Sequence, residues 1–99
     1  QEKGRLSVIY RLALPKPGRY AVGVSYATAP NRASNVPVTI HHAGGESVVR
    51  VNQRQAPPEG EVFLRLGVFE FDGESATVVI GNGDTDGIVG ADAVQVLGE

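Results

Sequence analysis

Residues 36–52 read VPVTIHHAGGESVVRVN, and this stretch predicts a β-hairpin. Apolar side chains alternate along Val36–His42, as they do in a strand that buries one face. The pair Gly44-Gly45 then provides a turn, and a second strand is predicted over Glu46–Asn52. The hairpin indicates an antiparallel, all-β fold.

The same strand pattern recurs on both sides of the hairpin, and no segment shows a sustained helical period. The other predicted strands are Leu6–Leu14, a strand with Tyr20, Val22, Val24 and Tyr26 on one face, Glu61–Phe71, Ser75–Ile80 and Ile88–Leu97. Short strands separated by Gly and Pro turns are typical of sandwiches and barrels. The sequence therefore predicts a single antiparallel β-sandwich, jelly-roll-like (galactose-binding-like), with about seven strands.

Three local features predict how these strands are connected. Pro17-Gly18 favours a hairpin between the first two strands, and Asn82-Gly83 favours a turn after the sixth. In the fifth strand, Leu66 and Phe69 fall on opposite parities. A β-bulge at Gly67 is therefore predicted, because it returns both side chains to one core.

Composition limits the chain to a few classes of protein. Its 99 residues allow one domain, residues 1–99, and the apolar fraction of 41% excludes a disordered chain. The lack of Cys excludes disulfide scaffolds and zinc-thiolate sites. A net charge of −2 with scattered arginines disfavours nucleic-acid binding, and no apolar run approaches the ~20 residues that span a bilayer. We expect no nucleic-acid partner, no membrane partner and a module excised from a longer chain.

Candidate catalytic groups are weak. The serines carry no nucleophile-elbow motif, and no spacing selects a carboxylate pair for glycoside hydrolysis. A sandwich of this length also has little room for a deep cleft. We therefore expect no enzymatic activity, no catalytic residue and no cofactor.

Two motifs resemble metal-binding patterns. His41 and His42 are adjacent, but successive strand residues point to opposite faces of a sheet. Asn82, Asp84 and Asp86 match the first half of a calcium loop, which then lacks a bidentate Glu at its twelfth position. No metal site is predicted, and these three residues form only a weak calcium candidate.

Planar polar side chains in the loops form the candidate ligand site, because Asn, Gln, Asp and Arg can bond paired sugar hydroxyls. They would line a shallow cleft if the loops converge at one end of the sandwich. The candidate ligand-binding residues are Asn31, Arg32, Asn35, His41, Asn52, Gln53 and Asp86. The alternative is that these side chains only satisfy the loop backbone.

Two further polar residues are predicted to be structural anchors. His42 and Asp92 share the parity of apolar strand neighbours. A buried carboxylate needs partners, and Arg32 or the turn backbone is the expected partner of Asp92.

The stretch NRASNVPVTIHHAGG, residues 31–45, resembles the core motif of the golvesin/xanthan lyase carbohydrate-binding-like domain family. Four further segments resemble motifs of that family in the same order. They are LPKPGRY (14–20), VNQRQ (51–55), LGVFEF (66–71) and TDGIVGADAV (85–94). The resemblance extends over about residues 6–97, with Phe63 standing where the family often has Trp.

The resemblance implies a non-catalytic, carbohydrate-binding-like accessory module of a bacterial xanthan lyase or oxidoreductase-type parent. Its implied partners are a polysaccharide, bound weakly through the end loops, and the parent catalytic domain in the same chain. Its implied location is secreted, periplasmic or at the cell surface. Members of the family usually have a further N-terminal segment before the first strand identified here, so we expect this chain to lack an edge strand or to begin just after one.

The alternative function is a packing or oligomerisation domain that binds no sugar. The sequence contains no Trp, and its few aromatic residues mostly share the parity of the core. Sugar sites usually include an aromatic platform. The missing Trp therefore weakens the case for tight carbohydrate binding.

Overall fold

Seven antiparallel strands make up the regular structure of the computed structural model, which describes residues 7–58, 62–82, 85–87, 89–90 and 92–98. The strands are β1 (Ser7–Ala13), β2 (Gly18–Ser25), β3 (Val36–His42), β4 (Gly45–Val51), β5 (Leu64–Phe71), β6 (Ser75–Gly81) and β7 (Ala93–Gly98). They form two sheets, with strand orders β1-β6-β3-β4 and β5-β2-β7. The predicted all-β class and two-sheet sandwich are confirmed. Within the described ranges, no helix is long and apolar enough to cross a membrane.

Alternating apolar side chains build one core between the sheets. Strand β3 contributes Val36 and Ile40, and β2 contributes Val22, all with no exposed surface. Tyr20 and Tyr26 continue the buried face of β2, and each hydroxyl donates a hydrogen bond to a main-chain carbonyl. The period-2 pattern of the sequence thus identified the buried faces of the two central strands correctly.

The predicted β-bulge in β5 is confirmed. Val22 on β2 lies opposite Gly67, but the next residue, Gly23, lies opposite Arg65, so Leu66 is the extra residue. Gly67 has a φ of +149°, which L side chains rarely adopt. The bulge places the leucines before it and the phenylalanines after it on the same core.

One predicted hairpin is present and another is not. The β3–β4 hairpin at Gly44-Gly45 is confirmed, whereas the hairpin predicted at Pro17-Gly18 is wrong, because β1 pairs with β6 and β2 with β5 and β7. The segment between β1 and β2 instead crosses from one sheet to the other. Its buried Leu14 donates its N–H to the carbonyl of Glu74 at 2.8 Å, and its two prolines lack the N–H groups that a ladder would use.

The sixth and seventh strands are also joined by a crossing rather than by a hairpin. β6 and β7 belong to different sheets, and Gly83 of the predicted turn lies outside the described residues. β7 begins at Ala93 rather than Ile88, and β5 begins at Leu64 rather than Glu61. Residues 61 and 88 lie outside the described ranges. Gly90, within the predicted last strand, bonds a side chain instead of a neighbouring strand.

Three connections lie at the same end of the sandwich. Because paired strands are antiparallel, β2, β4 and β6 end where β3, β5 and β7 begin. The connections at this end are residues 26–35 and the described parts of 52–63 and 82–92. The β3–β4 hairpin lies at the opposite end, and this arrangement decides which polar residues can meet.

A pair of identical substitutions tests the assignment of the core. Ile40→Ala, at a side chain with no exposed surface, is expected to lower the free energy of unfolding by about 2–5 kcal/mol, because it leaves a cavity. Ile9→Ala, at a side chain that is 53% exposed, is expected to cost less than about 1 kcal/mol. Urea unfolding measures both, and equal losses would contradict the burial described for Ile40.

Candidate functional site

The three connections at one end of the sandwich are joined by hydrogen bonds into one unit. We call this unit the loop cluster and define it as residues 26–35, 52–58 and the described part of 82–92. Its bonds run between segments far apart in sequence, so each loop is fixed by the other two. Six of the seven candidate ligand-binding residues belong to it.

Asp86 connects the loop after β6 to the loop before β3. Its Oδ1 accepts the N–H of Ser34 at 2.7 Å, and its Oδ2 accepts the Ser34 hydroxyl at 2.5 Å. These bonds stabilise the charged form, and they lower the pKa of the Asp86 carboxyl below its ordinary value. The Asp86 N–H in turn donates to Oδ1 of Asn35 at 3.2 Å. The Asp86 carboxylate and the Asn35 amide therefore fix the positions of these two loops relative to each other.

Arg54 connects the third loop to the other two. Its Nε donates to the carbonyl of Arg32 at 2.8 Å, and its Nη2 lies 3.6 Å from Oδ2 of Asp86. The Arg54 N–H donates to Oδ1 of Asn52 at 3.0 Å, which closes a short Asx turn. Both the charge and the backbone of Arg54 are thus used inside the cluster.

Gln53 is the only buried polar residue within the described ranges, with 2% of its surface exposed. Its Nε2 donates to the Gly90 carbonyl at 2.7 Å, and its Oε1 accepts the Gly90 N–H at 2.8 Å. Its own N–H donates to the carbonyl of Ala33 at 2.9 Å. The Gln53 amide thus imitates a strand neighbour for Gly90, which explains why residue 90 needs no partner strand.

Close backbone contact fixes the same region. A Cβ on Gly87 would lie 2.8 Å from the carbonyl carbon and oxygen of Arg32 and 2.9 Å from the nitrogen of Ala33. Only glycine allows this approach. The Arg32 side chain lies alongside and donates from Nε to the carbonyl of Ala27 at 2.9 Å. Burial raises the pKa of the neighbouring Tyr26, whose hydroxyl donates to the carbonyl of Gln55.

The candidate ligand-binding residues therefore divide by location. The loop cluster brings together Asn31, Arg32, Asn35, Asn52, Gln53 and Asp86. The cluster also depends on Ser34, Arg54, Gly87 and Gly90, which the sequence reasoning did not select. Ser34 and Arg54 are each adjacent to a selected residue, so a wider window around the loop motifs would have included them. The two glycines carried no local signal, because their contacts are long-range.

His41 lies away from the cluster, near the β3–β4 hairpin at the opposite end. Its side chain is exposed, and Nδ1 lies 3.6 Å from Oε1 of Glu46. His42 is half-buried, accepts the Gly44 N–H on Nδ1 at 3.2 Å, and has Nε2 at 2.8 Å from Oγ of Ser47. Its ring centroid lies 5.4 Å from that of Phe69. These contacts place His42 in a local hydrogen-bonded packing site.

The parity argument for a buried Asp92 is wrong. Asp92 precedes β7, which begins only at Ala93, and its side chain is exposed. The backbone of Asp92 nevertheless holds the segment, because its N–H donates to the carbonyl of Ser25 at 3.0 Å. Arg32, one expected partner, bonds the Ala27 carbonyl through Nε instead.

The weak calcium candidate falls partly outside the described residues, which do not include Asp84. Asn82 uses its carbonyl to accept the Thr85 hydroxyl at 2.8 Å, and both carboxylate oxygens of Asp86 bond Ser34. Among the residues that the structure describes, no group of three His, Cys, Asp or Glu side chains could hold a metal ion.

Comparisons with known proteins agree on one family. The model of the Golvesin C-terminal domain matches residues 1–98. The xanthan lyase of Bacillus sp. (strain GL1) is 37% identical over 99 residues, covering 96% of this chain and 10% of that protein. A solved structure of a Paenibacillus xanthan lyase matches with a TM-score of 0.85 at 36% identity, covering 94% of this chain and 9% of that chain. The chain therefore spans about one tenth of these relatives, and the resemblance drawn from sequence is confirmed.

The Asp86 carboxylate predicts a specific pH dependence. Because its folded-state pKa is lowered, its contribution to stability is fully present above the ordinary Asp pKa of about 4 and is lost as the pH falls through the folded-state value. Asp86→Asn removes this contribution and sets an amide N–H2 against the Ser34 donors. Urea unfolding of wild type and D86N is expected to show a stability difference at neutral pH that shrinks in acid. Asp72→Asn controls for the loss of one charge, and a difference independent of pH would contradict the assignment.

The Gln53 amide predicts a large effect from a residue that the sequence suggested for binding. Gln53→Ala leaves the N–H and carbonyl of Gly90 without their partners and is expected to lower the free energy of unfolding by about 2–4 kcal/mol. The exposed neighbour Gln55→Ala is expected to change it by less than about 0.5 kcal/mol. Denaturant unfolding measures both variants, and a near-neutral Q53A would overturn the structural role.

Proposed function

This chain belongs to the Golvesin C-terminal domain family, and from that premise we propose that it is a non-catalytic structural module of an exported bacterial enzyme that acts on a polysaccharide. The matched relatives are xanthan lyases of which the module forms about one tenth. In this role the module packs or associates through its surface, and it supports its parent polypeptide rather than the reaction.

The observation that carries the proposal is the internal use of the polar loop groups. Asp86, Gln53 and Asn52 all bond main-chain groups of the loop cluster. For the buried Gln53, a sugar hydroxyl could bond the amide only by displacing Gly90, and a buried group left unsatisfied costs about 1–3 kcal/mol. The loop cluster thus suits the role of covering one end of the sandwich better than that of an open ligand site.

The hydrogen bonds between the loops of the cluster support a structural role in a second way. Loops tied to each other lose little further entropy when the module meets a neighbouring surface, since they are already ordered. The described residues also form one core that is continuous between the two sheets. A module of this kind can present a fixed surface to the rest of a longer polypeptide.

Weak polysaccharide contact is the second candidate, and one observation favours it. Asn31, Arg54 and Asp86 are exposed on the surface of the same loop cluster, and planar polar groups of these kinds suit sugar hydroxyls. The matched lyases are named for a polysaccharide. In this reading the contact is shallow and uses the outward edges of groups whose inner atoms stay bonded.

Affinity electrophoresis in gels containing xanthan separates the two candidates. The structural role predicts equal mobility with and without the polymer for wild type and for Asn31→Ala. A retardation of wild type that Asn31→Ala abolishes, and that the control Arg19→Ala retains, would establish polysaccharide contact and overturn the purely structural role. Asn31 is exposed, so this substitution is expected to leave the fold intact.

A further inference from the structure

The outward face of the four-stranded sheet carries a row of four side chains, one on each strand, of which three are apolar and one is a threonine; we call it the apolar row. In the pairing register, Ile9 on β1 lies opposite Val79 on β6, which lies opposite Thr39 on β3, which lies opposite Val48 on β4. Their inward neighbours belong to the core, so these four side chains point outward. Ile9 is 53% and Val48 51% exposed.

The adjacent row on the same face carries opposite charges at its two ends. Arg11 on β1 lies opposite Thr77, which lies opposite His41, which lies opposite Glu46 on β4. β1 and β4 are the two edge strands of the sheet. A positive side chain therefore stands at one edge and a negative one at the other, at the same height along the strands.

We propose that this face binds a second copy of the chain about a twofold axis parallel to the strands. Such an axis places β1 of one copy over β4 of the other. It also places each row of side chains over the same row of the other copy. Ile9 then meets Val48 of the other copy, and Arg11 meets Glu46 twice, once on each side of the axis. The same patch serves both copies, as a closed twofold dimer requires.

The charges set the register, and the apolar row supplies the affinity. Burial of β-branched side chains is favourable in proportion to the area removed from water. Partly exposed ion pairs add little affinity but discriminate against wrong arrangements. Four strands about 4.8 Å apart and about seven residues long present a face of roughly 19 by 23 Å. This face is smaller than the ~800 Å² per partner of a standard interface. The dimer is therefore weak and dependent on concentration.

A different twofold axis makes a different prediction. An axis perpendicular to the strands, passing through the apolar row, would place Glu46 over Arg50 of the other copy, because Arg50 lies on β4 one outward position beyond Val48. The parallel axis instead places Arg50 over Ser7 of the other copy, where charge reversal breaks no ion pair. Arg50→Glu thus distinguishes the two arrangements.

Sedimentation equilibrium of the 99-residue chain, from about 10 µM to about 1 mM, tests the proposal. Wild type is expected to dimerise at the upper end of this range. Arg11→Glu and Glu46→Arg are each expected to weaken the dimer about tenfold or more, and the double charge reversal R11E/E46R is expected to restore it. Arg50→Glu and Arg19→Glu, the latter on the other sheet, are expected to leave the dissociation constant within about twofold.

Each outcome decides the proposal. A wild type that stays monomeric at 1 mM, or an R11E/E46R variant that stays as weak as the single variants, overturns it. A strong effect of Arg50→Glu with no effect of Arg11→Glu overturns the parallel axis. The inference rests on the proposed structural role and names its partner. Electrophoresis with xanthan tests that role independently. If the chain does not dimerise, the dimer proposal is wrong and the structural role is untouched. If the chain binds xanthan, the structural role itself is wrong.

Discussion

A pair of hydrogen bonds from Ser34 to the Asp86 carboxylate ties the crossing after β6 to the loop before β3. The loop after β6 must cross from one sheet to the other, and its described residues belong to no strand. The carboxylate supplies what the ladder cannot, because an ionised acceptor strengthens both bonds. Further along the loop, the Gln53 amide likewise bonds the main-chain N–H and carbonyl of Gly90. Two side chains thus replace secondary structure along the crossing.

These side-chain contacts also join two of the segments that resemble the family motifs. Ser34 and Asn35 lie in the stretch that carries the resemblance, and Asp86 lies in its closing segment. In the structure these segments bond each other. Ser34, Asn35 and Asp86 of these motifs thus tie two segments that are distant in sequence.

The sequence predicted those parts of the fold that depend on the alternation of apolar residues along a strand and on turn residues. The buried face of β3, the Gly44-Gly45 hairpin and the bulge at Gly67 all follow from alternation and turn chemistry. Strand partners did not follow, because the Pro17-Gly18 segment reads as a hairpin while its flanking strands belong to different sheets. Pairing is decided by contacts between distant strands, and a single sequence does not display them.

The sequence predicted which residues come together at the candidate site, but not which hydrogen bonds they make there. Six selected residues converge, since loops at one end of an antiparallel sandwich must meet. Their hydrogen bonds run to main-chain groups, such as that of Gly90, whose positions no motif specifies. The parity of Asp92 gave a wrong prediction because β7 begins only at Ala93, so that Asp92 lies before the strand.

The distance along the chain between Ser34 and Asp86 has a consequence for the order of folding. Their hydrogen bonds join residues 52 positions apart, so closing this contact early would restrict a long loop for a small gain. The β3–β4 hairpin, by contrast, needs only neighbouring residues. The β3–β4 hairpin is therefore expected to form before the contact between Ser34 and Asp86 closes. Formation of the Ser34–Asp86 contact is thus expected to report that the two sheets have come together.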